Sequence, residues 1–176
     1  LSARMAEERK KKGILKTSNQ IVVPIGVNFD RIHRRDDDKI NRFHIVFMGH
    51  IKKHQGIELA INSLKEIIHK VPKAKLLVVG GGDQEEHLKD MVAKNCLNEY
   101  VEFKGYIPDH KDIESILSSC AIGIALYEPV SSSITWFADP SKPKQYMASG
   151  LPVIITSVPA ISNKIKSKKL GLVVNY

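Results

Sequence analysis

Two lysines, Lys142 and Lys144, stand at the start of the stretch Ala138-Asp-Pro-Ser-Lys-Pro-Lys-Gln-Tyr-Met-Ala-Ser-Gly-Leu-Pro-Val-Ile-Ile155. The stretch reads as a helix start, a short helix, a glycine stop and a buried strand. Asp139 or Ser141 can cap the helix, and a proline in its first turn costs no hydrogen bond because that N–H has no partner there. A helix N-terminus with free N–H groups and two adjacent cations is an anion site, suited to a phosphate group. Glycines end apolar runs at Gly49, Gly80 and Gly105, where backbone can come close to a ligand. The same features also describe an ordinary helix–strand joint and three tight turns, so the surrounding elements have to arbitrate.

Those elements alternate regularly from residue 43 onward. Phe43–Met48, Lys75–Val79, Tyr100–Phe103, Ala121–Leu126, Val153–Ile155 and Leu172–Val174 read as strands. Between them, Ile57–Val71, Asp83–Asn95, Asp109–Ser119, the stretch around Lys142 and Ile161–Ser167 read as helices. In the first of these, Ile57, Ala60, Ile61, Leu64, Ile67, Ile68 and Val71 recur at spacings of three and four, and Pro72 terminates the run. Strand–helix–strand repetition predicts parallel pairing through right-handed crossovers. The expected fold is therefore α/β, a doubly wound parallel six-stranded Rossmann-like sheet, with ligands at the C-terminal ends of its strands. Upstream, residues 2–12 read as a charged helix closed by Gly13 and Ile21-Val22-Val23 as a short strand. Arg31–Lys39 reads as a hinge of mixed charge, dividing residues 1–40, the tail of something upstream, from a domain at 41–176.

Composition narrows the function classes. The chain has 176 residues, 43% hydrophobic and 26% charged, which suits one soluble domain with a full core. Cys96 and Cys120 have no metal-ligand spacing and read as reduced cysteines of a cytoplasmic protein. No apolar run can span a bilayer, and Leu1 in place of an initiating Met suggests a piece of something longer. The net charge of +8 lies largely at the two ends, around Arg4, Arg9, Lys10, Lys11, Lys12 and Lys16 and around Lys164, Lys166, Lys168 and Lys169, without interleaved aromatics. That pattern argues against nucleic acid and fits a solvated face or a peripheral membrane contact. His33, His44, His69, His87 and His110 have no metal-ligand spacing. Gly80-Gly81-Gly82 lacks the later glycine of a dinucleotide loop, and no P-loop is present. Ser131, Ser132 and Ser133 read as a mobile loop, flanked by Tyr127 and Trp136, that could close over a ligand.

With these residues together, the sequence resembles the C-terminal, nucleotide-sugar-binding domain of GT-B glycosyltransferases, in the large retaining family 4. Val46-Phe-Met-Gly-His-Ile51 with Gln55-Gly56 is similar to the family's first strand and glycine loop. Leu77-Val-Val-Gly-Gly-Gly-Asp83 is similar to its second strand and turn, and Val101-Glu-Phe-Lys-Gly-Tyr106 to its third strand. Lys142 to Ile154 is similar to its most recognisable helix and strand, and Ile21–Asp30 to the exit from the upstream domain.

The resemblance implies a transferase that moves a sugar, of hexosyl type, from a UDP- or GDP-sugar to a glycan or glycolipid acceptor. The acceptor would be bound by the missing N-terminal domain, so this chain alone is expected to be inactive. It implies no cofactor and no metal, work in polysaccharide biosynthesis, and a place in the cytoplasm or at the inner membrane surface. By position, Gly49, His50, Lys53, Gln55, Ser141 and Lys142 would hold the donor diphosphate, and Phe103, Gly105, Tyr106 and Gln145 the base and ribose. His50 stands where the family commonly has Arg, Gln55 where it has Lys, and Phe137 and Gln145 where many members have paired glutamates. A non-catalytic nucleotide-sugar-binding module of the same fold is the alternative, and no catalytic residue is assigned.

Overall fold

The alternation of apolar runs and amphipathic segments is realised in a computed structural model that describes residues 2–14, 21–131 and 133–176. Lys16 and Ser132 lie outside the described residues. The elements are α1 (Ala3–Lys11), β1 (Asn41–Met48), α2 (Ile57–Lys70), β2 (Lys75–Val79), α3 (Glu85–Lys94), β3 (Val101–Gly105), α4 (His110–Ser119), β4 (Cys120–Ala125), α5 (Ile134–Phe137), α6 (Ser141–Ala148), β5 (Val153–Thr156), α7 (Ile161–Ser167) and β6 (Gly171–Val174). The six strands form one sheet in the order β3-β2-β1-β4-β5-β6, and every pair is parallel. The strand order reverses between β1 and β4, and a crevice opens at that point in sheets of this topology.

Alternation along each strand divides the core in two. Val46, Leu77, Val79 and Ala125 point into a cluster completed by Leu117 of α4, Tyr146 of α6 and Ile165 of α7. Phe47, Leu76, Val78 and Ile124 point the other way, under Ile61 and Leu64 of α2 and Leu88 and Val92 of α3. Both faces of the sheet are thus covered, and that is why the strands read as continuous apolar runs rather than as alternating ones. Burying each such side chain stabilises the fold by about 1.5–3 kcal/mol.

Three expectations need correction. Ile21–Val23 forms no strand; residues 21–28 have no regular structure, and Ile21 and Val23 are exposed. β-Branched residues make a strand only against a neighbour, and this segment instead runs past α6, where the Ile25 N–H donates to Asp139 Oδ2 at 2.8 Å. The serine-rich loop is shorter than its composition suggested, since Ser133 accepts the Thr135 N–H and caps α5. Trp136 is held there by α1. Arg4 stacks 4.9 Å from the centre of its ring and donates both to the Trp136 carbonyl and to the Val158 carbonyl, each at 2.7 Å. Ser2 Oγ also donates to the Phe137 carbonyl. Trp136 is therefore packed under Arg4 instead of standing free to close over a ligand.

The mixed-charge run lies along α4. Arg31 pairs with Glu114 at 2.7 Å, Arg35 donates to Ser115 and Ser118, and Ile32 is buried.

Candidate functional site

The loops that follow β1, β2 and β3 meet at the C-terminal edge of the sheet. Their contact is close enough to dictate residue type. Gly49 and Gly80 have φ of +137° and +130°, and a Cβ at Gly80 would fall 2.0 Å from the Gly49 carbonyl oxygen. No side chain fits at that point. A hollow of about 470 Å³ opens above it, lined by Met48, Gly49, His50, Gly80–Gly82, Tyr106, Ile107 and Ile113.

The first turn of α6 reaches this edge from the other face of the sheet. Tyr146 is fully buried, and its Oη accepts the Met48 N–H at 2.8 Å, which ties α6 to the end of β1. Gly123 makes room for it, since a Cβ there would sit 2.4 Å from the tyrosine ring. Four residues earlier on the same helical face lies Lys142. Its side chain passes Gly49, where an added Cβ would stand 3.2 Å from Lys142 Cε. Its Nζ lies 3.8 Å from the centre of the Phe47 ring and 5.2 Å from that of Tyr127, and donates to Gln55 Oε1 at 3.0 Å. Phe47 belongs to the α2–α3 face, so the lysine crosses the sheet edge at the reversal in strand order.

Lys142 is 8% exposed and, among the described residues, has no carboxylate beside it. Burial alone pulls its pKa down to about 7. The nearest acids are otherwise engaged. Glu128 is paired with His54 through Nδ1 and also donates its N–H to the His54 carbonyl at 3.1 Å. Asp139 takes Lys144 at 2.6 Å. Burial would raise the Asp139 pKa, but the Lys144 ammonium and the Ile25 N–H outweigh it and hold the carboxyl below its ordinary range.

This geometry redistributes the expected roles. No side chain caps α6: Pro140 is the N-cap residue, and Asp139 is turned toward Ile25 and Lys144. Lys144 is spent on that tie and on the Ile25 carbonyl at 2.6 Å, which leaves the Lys142 amine beside the helix tip. Ser141 is the first residue of the helix, and the half-buried Gln145 lies one turn on from Lys142. Gly49 and His50 line the hollow, and Gln55 accepts from Lys142, whose stem passes Gly49. Lys53 faces a separate recess of about 110 Å³ with Lys52, Glu58 and Glu128.

Tyr106 lines the hollow and is 80% exposed, and Gly105, just before it, accepts the Gly80 N–H. Phe103 does not join them. Its ring packs in the core under α3, 6.0 Å from the Lys89 ammonium. Phe47 and Tyr127 are the aromatic walls around Lys142; Phe47 reads in the sequence as strand interior with no signal to mark it, and Tyr127 reads only as the flank of the serine-rich loop. Among the described residues no group of three or more His, Cys, Asp or Glu could hold a metal ion, and no helix is long and apolar enough to cross a membrane.

The family model described as "Glycosyl transferases group 1" matches residues 42–176. The chain belongs to that family. It is 27% identical over 149 residues to the uncharacterized glycosyltransferase MJ1607 of Methanocaldococcus jannaschii, covering 83% of this chain and 34% of that protein. The chain thus spans about a third of the length of that relative. Among solved structures, the C-terminal domain of the group 1 glycosyl transferase LpcC from Francisella tularensis superposes with a TM-score of 0.69 at 21% identity, covering 85% of this chain and 80% of that one. The pneumococcal O-GlcNAc transferase GtfA, solved in complex with UDP and GlcNAc, superposes with a TM-score of 0.65 at 18% identity, covering 90% and 29%. The fold is the C-terminal half of a GT-B glycosyltransferase.

Proposed function

We propose that this domain holds the nucleotide-sugar donor of a retaining, family 4 hexosyltransferase, with the diphosphate seated between Gly49 and the first turn of α6. The observation that carries the reading is Lys142, an amine buried beside Gly49 with no acid to neutralise it. A group so placed is stabilised by an arriving anion. The free N–H groups of the α6 tip point the same way. The leaving diphosphate accumulates charge as the sugar departs, and fixed donors in a water-poor crevice stabilise that charge without a metal.

In this reading His50 and Ser141 contact the phosphate oxygens, and Gln55 reaches them through the amine that it holds. Lys53 serves at the periphery from its own recess. Gly105 and Tyr106 border the base, and Gln145 bonds the ribose hydroxyls. The UDP found with pneumococcal GtfA makes UDP-sugars the first donors to try, with GDP-sugars next. The acceptor, a glycan or glycolipid of polysaccharide biosynthesis, is held by a domain upstream of a boundary near residue 40, so residues 1–176 alone transfer nothing. The basic helix α1 suits a cytoplasmic protein that touches an anionic membrane surface.

The test is a thermal-shift and calorimetric screen of UDP, GDP and ADP. A ligand at a hundred times its Kd stabilises the native state by about 2.7 kcal/mol. One of the three is expected to raise Tm, with His50→Ala and Lys142→Met weakening the effect. Absence of a shift with all three would remove the reading.

A further inference from the structure

The proposed diphosphate site has an unusual cation. Lys142 Nζ has a neutral acceptor, Gln55 Oε1 at 3.0 Å, and two aromatic faces, Phe47 and Tyr127. From the β1–α2 loop the titratable groups are His50, Lys52, Lys53 and His54, and His54 is paired with Glu128. From the end of β4 comes Glu128 itself. Tyr127 is buried and its hydroxyl is pushed far toward the neutral form by that burial. From α6 and the residue before its cap come Tyr146, also pushed upward by burial, and the Lys144–Asp139 pair. Among the described residues no negative charge is left over for Lys142, and burial alone shifts it.

Resting on the donor-site reading above, we infer that Lys142 is a proton-accepting anchor: a nucleoside diphosphate that docks beside Gly49 takes up one proton onto Lys142 Nζ, and Gln55 is the positioning residue that holds the amine ready. The balance is simple. The amine lone pair takes a proton from solvent, and the resulting ammonium is neutralised by the phosphate oxygens that displaced water from the crevice. No covalent bond to the nucleotide forms or breaks. Above neutral pH the free site is uncharged at this position, which explains how a lysine without a carboxylate is tolerated in the core, since the charge is drawn in with the anion.

The dependence on pH has a fixed direction. A phosphate group loses its second proton near pH 6, so above neutrality the ligand's charge is constant. With the free amine half-protonated near pH 7, affinity for the diphosphate falls about tenfold for each pH unit above that. Between about pH 7.5 and about pH 9 the Kd for UDP is expected to rise about 20-fold, with about one proton taken up per UDP bound at the upper pH. Gln55→Glu gives the amine a carboxylate, keeps it charged throughout, and is expected to flatten that change to less than about threefold.

Three measurements decide it. Calorimetry of UDP binding in two buffers of different ionisation enthalpy reads the proton uptake. The pH series of Kd is run on wild type and Gln55→Glu. Titration of 15N-labelled lysine, with the Lys142 signal assigned by its loss in Lys142→Met, reads the amine directly in the ligand-free protein. Proton uptake with a ligand-free amine titrating near neutrality upholds the inference. UDP binding with no proton uptake, or a Lys142 amine that titrates in the ordinary lysine range before ligand arrives, overturns it and leaves the donor site standing. Failure of UDP, GDP and ADP alike to bind overturns both.

Discussion

Replacing Lys142 by Met is expected to make the protein more stable and worse at its task. The folded-state pKa near 7, against an ordinary value of 10.5, means that the unfolded chain binds more protons than the native state from neutrality up to about pH 10. Each unit of that difference is worth about 1.4 kcal/mol. The burial cost carried by wild type is therefore fully present below pH 7, amounts to about 4 kcal/mol at pH 7 and about 2 kcal/mol at pH 9, and fades as pH passes the unfolded value. Methionine keeps most of the volume and the contact with Phe47 while removing that cost. It leaves Gln55 Oε1 without its partner, a loss of about 1 kcal/mol. The net expectation is a stabilisation of about 3 kcal/mol at pH 7 that shrinks by about 2 kcal/mol at pH 9. Urea unfolding followed by fluorescence of the single tryptophan, Trp136, measures both values. A variant less stable than wild type at pH 7, or a gap that does not narrow with rising pH, would refute the reasoning, because it would mean that the native lysine is charged and well solvated.

Two further outcomes follow from the same contacts. Tyr146→Phe leaves the Met48 N–H without its partner behind the sheet edge and is expected to cost about 1–3 kcal/mol, lowering Tm by several degrees in a scanning-calorimetry trace. Arg4→Ala strips the Trp136 and Val158 carbonyls of their donor and the indole of its cation; a loss of about 2 kcal/mol and a changed Trp136 emission are expected, with Arg4→Lys recovering only part because it lacks the planar fork.

The sheet was readable from the chain because each strand is a short apolar run and each helix carries an apolar stripe, both set by local pattern. The glycines were readable as a group at one edge, but their reason was not. Gly80 is required by the nearness of another backbone, and Gly49 by its φ of +137°, neither of which sequence spacing reveals. The helix tip near Lys142 was found from its proline and lysines, whereas the division of labour between Lys142 and Lys144 depended on where Asp139 turned. That turn is fixed by residue 25, more than a hundred positions away. Ile21–Val23 failed for a related reason, since β preference in a segment says nothing about whether an adjacent strand exists. Phe103 shows the limit of a strand's parity. Its ring packs against the core under α3, whereas Tyr106, three residues on, lines the crevice.

The interlock of Gly49 with Gly80 has a kinetic side. Two turns whose main chains touch, with no side chain between them as a spacer, cannot swing apart singly without opening a void over the sheet. This half of the crevice should behave as a finished mould, paying little ordering entropy when a nucleotide arrives.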